Sequence, residues 1–153
     1  MNIELIRHAY TRHAIDGEIY IHNHPVCSCT ENLNTPLQCG TYAIHIHKCK
    51  QYGRNMPLLI PLGNTTKGHQ MPKCRHCPKR WFVGNNTLMP SYCPMLKSGN
   101  GVQNRNDGSI IVGSYLCSGA MIHTDEVFLE LFQRIRKSTA RGKKIIITIR
   151  RTV

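Results

Sequence analysis

The sequence predicts an α+β fold that is mainly β: a mixed sheet or barrel of short strands with one late amphipathic helix. Three observations predict it. Short stretches of alternating apolar and polar residues recur from Ile3 to Val112. Clusters of Gly, Pro, Asn, Asp and Ser separate them. A helical apolar stripe occurs once, near the end, and one more apolar strand follows it.

Ile3 and Leu5 alternate with polar neighbours and start an edge-type strand. Ile15-Asp16-Gly17-Glu18-Ile19 carries a hairpin signal, and Ile19 to Ile21 continues the second strand. Val26 to Thr30 alternates again, and Asn32 to Gly40 is a turn-rich connection. Thr41 to Cys49 is a clear strand with Tyr42, Ile44, Ile46 and Lys48 on one face and Ala43, His45 and His47 on the other. Leu58 to Leu62 is one more short strand, and Trp81 to Val83 and Leu88 to Leu96 are weaker extended segments. Ser109 to Gly113 reads as a buried strand, and Leu116 to His123 as a loop. Thr124 is the expected N-cap of a helix over 124–141, with Asp125 and Glu126 suiting its dipole. Val127, Phe128, Leu131, Phe132 and Ile135 form its apolar stripe, and Gly142 stops it. Lys144 to Arg150 is the closing strand.

The 153 residues make one domain, 1–153, with a cysteine-containing basic insertion at about 64–95. The longest apolar run, Met56 to Leu62, holds two prolines and is too short to span a bilayer. The N-terminus has no secretory pattern, so synthesis in the cytoplasm is expected, with release on lysis or in a particle as the route out. In a reducing compartment the eight cysteines are thiols or metal ligands, not a disulfide framework. A net charge of +12 points to an anionic polymer or protein as partner.

Three constellations can carry chemistry. In the first, Cys74 and Cys77 form a knuckle and Cys93 follows from a later segment. With Cys49 as the fourth ligand, or His69 in its place, they make a closed tetrahedral zinc site whose role is structural. Cys27, Cys29, Cys39 and Cys117 are read as small hydrophobes, and His45 and His47 as residues of a solvent-facing or polar face. The second is the basic end: Arg134, Arg136, Lys137, Arg141, Lys143, Lys144, Arg150 and Arg151. It could form a phosphate patch, but the interleaved aromatics of single-strand binders are missing there. A solvated face is the preferred reading, and no specific nucleic-acid partner is expected. No paired-carboxylate or histidine–asparagine–histidine arrangement points to a nuclease.

The third is Gly99 to Tyr115, a polar glycine-rich loop running into an apolar strand. Its Asp107-Gly108 pair could equally be a plain chain reversal. If the protein is an enzyme, Ser109 is the candidate nucleophile, His123 its base and Asp107 the orienter. Ser98, just before this stretch, and Asn100 and Arg105 within it are the candidate binding residues.

Three blocks here resemble the domain-of-unknown-function family 5675 of phages and gut Bacteroidetes. They are IELIRHAYTRHAIDGEIYI, VCSCTENLNTPLQCGTYAI, and GNGVQNRNDGSIIVG with the helix and last strand; Asn64 to Tyr92 matches least. That family in turn is similar to the L,D-transpeptidases of bacterial cell walls. Thr35, Pro36, Gly40 and Tyr42 resemble the early transpeptidase segment, and Gly108-Ser109 stands where glycine-cysteine would stand. The resemblance implies an L,D-transpeptidase-like fold and a cell-wall or virion context. Two departures weigh against its reaction. Serine replaces the nucleophilic cysteine, and Lys97 or Ser98 occupies the place of the upstream histidine. A serine hydroxyl needs an adjacent base. A lysine serves as one only when buried, and Lys97, in a basic glycine-rich loop, is expected to stay hydrated.

The first reading is therefore a non-catalytic transpeptidase-like binding or structural module of phage or mobile-element origin. The alternatives are a serine-dependent peptidoglycan hydrolase or transpeptidase, and a small zinc-containing nucleic-acid binder. Protein purified without added metal is expected to carry about one zinc per chain and to melt lower after chelation. Elemental analysis showing no zinc, with melting unchanged by chelator, would refute the metal assignment.

Overall fold

The computed structural model describes residues 1–34, 36–49, 53–62, 69–70, 82–83, 94–99 and 108–152. The strands are β1 (Asn2–Tyr10), β2 (Ile15–Ile21), β3 (His24–Glu31), β4 (Gly40–Cys49), β5 (Arg54–Pro61), β6 (His69–Gln70), β7 (Phe82–Val83), β8 (Leu96–Lys97), β9 (Ile110–Cys117), β10 (Ala120–Ile122) and β11 (Ile146–Arg151). The helix α1 (Thr124–Ala140) lies between β10 and β11.

The main sheet runs β10-β9-β3-β2-β1-β11-β4-β5, and β8 pairs with β9; β6 and β7 form a separate pair. The fold is thus mostly β with one helix among the described residues, as the alternation predicts. The sheet curls until its two sides nearly meet. The closing piece is the segment Pro94–Lys97. Met95 bridges Leu58 of β5, and the Leu59 N–H donates to the Pro94 carbonyl at 2.9 Å. On the other side the Ile110 N–H donates to the Met95 carbonyl at 2.9 Å, and Leu96 and Lys97 pair with Ile110 and Ile111.

Strand alternation fills this near-barrel. Ile3 and Leu5, Ile19 and Ile21, Cys29, Tyr42 and Ile44, Ile110 and Val112, and Ile147 and Ile149 join one core. The helix adds Phe128, Leu131, Phe132 and Ile135 to it, the stripe expected from their spacing. Ile111, between two core residues, packs instead with Ala14 and Met121 on the other face of β9.

Several local expectations are overturned. β1 is not an edge strand; it pairs with β2 on one side and in parallel with β11 on the other. Asp16-Gly17 is not a turn but lies inside β2. The chain reverses at His22-Asn23, where φ is 50° and 66°, the primed geometry that suits strand twist. β5 is longer than expected and begins at Arg54. Likewise Leu116 to His123 is not a loop: β9 continues to Cys117 and turns back into β10. Thr124 is the first helical residue, not the cap. His123 caps at φ 54°, with no side-chain cap bond among the described residues. The Thr124 hydroxyl instead accepts the Gly99 N–H at 3.3 Å. The C-terminal stop follows expectation: the Gly142 N–H donates to the Thr139 carbonyl and that of Lys143 to Ser138, the paired bonds of a Schellman end.

Gly17 shows why an Asp-Gly pair can sit in a strand. A Cβ there would lie 2.5 Å from the Ile6 carbonyl oxygen. Its Asp16 neighbour is buried, accepting the Thr30 hydroxyl at 2.8 Å and the Gly119 N–H at 3.1 Å. Gly17→Ala is expected to destabilise the fold by about 1–3 kcal/mol through forced displacement of β1. Chemical denaturation of the variant measures this, and an unchanged midpoint would contradict the close approach.

Candidate functional site

Ser109 lies at the seam where the barrel closes. It follows Gly108, whose φ of 76° needs a glycine, and it directly precedes β9. The Met95 N–H donates to its Oγ at 3.3 Å, and the residue is only 4% exposed. Lys97 lies two residues beyond Met95, ~7 Å along the strand. It is paired with Ile111 and so falls on the Ile111 side of β8. Lys97 is 2% exposed, so the expectation of a hydrated lysine is wrong. Burial is a property of what folds over the loop, not of the loop's own polarity.

The proposed base makes a contact within its own helix instead. His123 is exposed, and its Nδ1 lies 3.1 Å from a Glu126 carboxylate oxygen. No Ser109–His123 hydrogen bond is found among the described residues, because the left-handed cap turns His123 toward its own helix. Ser98 is half-buried beside Gly99, which ties β8 to the start of α1. Asn100, Arg105 and Asp107 lie outside the described residues.

Of the zinc set, Cys74, Cys77 and Cys93 also lie outside them. Cys49 ends β4 opposite Arg54, and His69 pairs with Val83 in the β6–β7 ribbon. His45 is exposed and His47 half-buried on the outward face of β4, as alternation predicts.

The cysteines outside that set divide into two kinds. Cys27 and Cys29 point inward, and burial pushes the Cys27 thiol up to about 12, with the Glu130 charge adding to it. Burial also holds Cys29 well above its ordinary range. Cys39 and Cys117 are exposed, so they are not core hydrophobes. Cys39 lies against the Arg7 guanidinium, with 3.7 Å between Nη1 and Sγ.

Two features were not anticipated. One is a buried ion pair, Arg7–Glu31, bonded twice at 2.7 and 2.8 Å. Burial alone would lower the Arg7 pKa, but hydrogen bonding and attraction to Glu31 win and hold it above its ordinary value. Its only sequence signal is positional: Arg7 continues the Ile3, Leu5 alternation, and Glu31 continues Cys27, Cys29.

The other is a groove of about 450 Å³ between α1 and the β4–β5 hairpin. Lys48, Arg54 and Arg136 line it together with Leu129. The Arg54 and Arg136 guanidiniums sit 5.8 and 5.6 Å from the ring centres of Phe128 and Phe132. The basic end itself is not one patch. Lys144 and Arg150 are six residues apart in extended chain, ~20 Å. Arg150 is bonded to Glu4 at 2.7 Å, and Arg151 stacks 4.2 Å from the Tyr10 ring centre.

Comparison with known proteins adds nothing to this geometry: no family model, no curated protein and no solved structure matches the chain.

The buried thiol and phenol predict an alkaline limit. Burial raises Tyr42 from 10.0 to about 12, as it raises Cys27 from 9.0 to about 12. The folded state favours the neutral forms, so their contribution is complete below the unfolded pKa values. It is lost as pH rises from 9.0 toward about 12. The melting temperature should fall across that window, and less steeply in a Cys27→Ala/Tyr42→Phe variant. An equal slope in both proteins would assign the alkaline loss to other groups.

Proposed function

We propose that the protein is a non-catalytic binding or structural module of transpeptidase-like type, of phage or mobile-element origin, acting in a cell-wall or virion context. The resemblance of its sequence blocks supports the context. The observation that carries the non-catalytic reading is the state of Ser109: its hydroxyl is buried in the closing seam and receives the Met95 N–H. A hydroxyl in that place holds the barrel shut, and its proposed base, His123, is engaged with Glu126 instead.

One observation favours the alternative of a serine-dependent wall enzyme. Lys97 is 2% exposed on β8, which pairs with β9 directly after Ser109.

Incubation with peptidoglycan fragments, followed by mass spectrometry, separates the two. Wild type is expected neither to cleave nor to cross-link them. Ser109→Ala is expected only to lose about 1–2 kcal/mol of stability, since the buried Met95 N–H loses this acceptor. Turnover by wild type that both Ser109→Ala and Lys97→Met abolish would instead establish the enzyme.

A further inference from the structure

We infer that the groove between α1 and the β4–β5 hairpin docks a short acidic segment of a partner protein, anchored by at least one apolar side chain. This goes beyond the binding-module reading and stands whether or not Ser109 is reactive.

The argument begins with charge. Lys48, Arg54 and Arg136 converge on the groove from three different elements: β4, β5 and α1. No carboxylate is among the described residues that line it. Cations from separate elements repel one another, so the site is favourable to an occupant that brings negative charge. The second step is shape. Beside the cations the outer side of α1 carries a strip in which exposed Leu129 and Ala140 flank Gln133, Arg136 and Lys137. Leu129 is 57% exposed, a large apolar side chain without cover.

Charge and strip together select the class of occupant. A single-stranded nucleic acid would need ring faces on which bases stack. Here Phe128 and Phe132 are 2% and 7% exposed, and guanidiniums already lie over them. A membrane surface would need the helix to offer its apolar face to the lipid. That face, with Leu131 and Ile135, is buried in the core. An acidic peptide needs neither. Its carboxylates can take the guanidinium forks in pairs, while one apolar side chain covers Leu129. From Leu129 to Ala140 the strip is ~16 Å long, the reach of about five extended residues.

The test uses the intact chain and a short fluorescein-labelled peptide alternating Glu and Leu, read by anisotropy at physiological salt. Saturable binding is expected. Arg54→Glu/Arg136→Glu should weaken it about tenfold or more. Leu129→Asp, at an exposed position that leaves the core intact, should weaken it comparably. Arg12→Glu/Arg151→Glu makes the same change in net charge at the β1–β2 turn and the end of β11, on residues that do not line the groove, and should leave affinity within about twofold. Thermal melting of each variant establishes that it is folded; should the double arginine variant fail to fold, Leu129→Asp alone decides. Absence of saturable binding would overturn the inference. So would equal losses in the two double variants, or retention of full affinity by Leu129→Asp. Tighter binding of oligothymidylate or phosphatidylglycerol vesicles than of the peptide would overturn it as well.

Discussion

The Arg7–Glu31 pair is the constraint to which the strand register answers. Two opposite charges sit inside a barrel of aliphatic side chains, where neither is tolerable alone. They are tolerable together because the fit is bidentate and because the Arg7 Nη2 also donates to the Leu37 carbonyl at 2.6 Å. Removing one partner of such a pair costs about 3–5 kcal/mol, whereas replacing both with apolar residues can be neutral. The pair therefore specifies an arrangement more than it adds stability. It joins β1 to β3 across β2, and it pins the connection after β3 to both. Arg7 lies opposite Gly17, and the β1–β2 register shifts between Arg7 and Ala9. A side chain at Gly17 would collide with the β1 backbone beside Arg7. One slip of register would send Arg7 outward and leave Glu31 buried alone.

That device shows where sequence reading succeeds and where it stops. Alternation correctly placed Tyr42 and Ile44 inward and His45 outward on β4, and the helix stripe was read correctly at Phe128, Leu131, Phe132 and Ile135, with Val127 only partly buried. Both patterns are local consequences of burying one face. Asp16-Gly17 reads as a hairpin turn because its local preference is for one. Its actual place in β2 depends on Thr30 and Gly119, which are distant in sequence. Tertiary partners can outweigh a dipeptide propensity. The closing of the seam was illegible for the same reason. Leu88 to Leu96 reads as weakly extended, but nothing local announces that Pro94–Lys97 bonds to both sides of the sheet.

The candidate site divides along the same line. That an apolar strand would start beside Ser109 was legible, since its composition is local. That Lys97 would be buried was not, because nothing in a basic loop encodes what covers it. The basic end misled in the opposite direction. Eight cations close in sequence become separated groups, since a helix and a strand carry them apart. Meanwhile Arg136 converges with Lys48 and Arg54, more than 80 residues before it in sequence.

The net charge of +12 then has two physical roles. Part of it is already answered by carboxylates within the chain: Arg7 by Glu31 and Arg150 by Glu4. Those cations organise the fold and have little attraction left for a partner. The remainder gives the surface a positive field that draws in anions of any kind, falling off within a Debye length of about 10 Å. A field of that sort governs encounter, not identity. Identity requires a place where charge, shape and uncovered apolar surface coincide. On the described surface, the groove beside α1 combines all three, whereas Ser109 in the seam is only 4% exposed. Closure and recognition are thereby assigned to different parts of one barrel. Ser109 can serve the integrity of the fold while α1, anchored by its buried face, presents its other face outward.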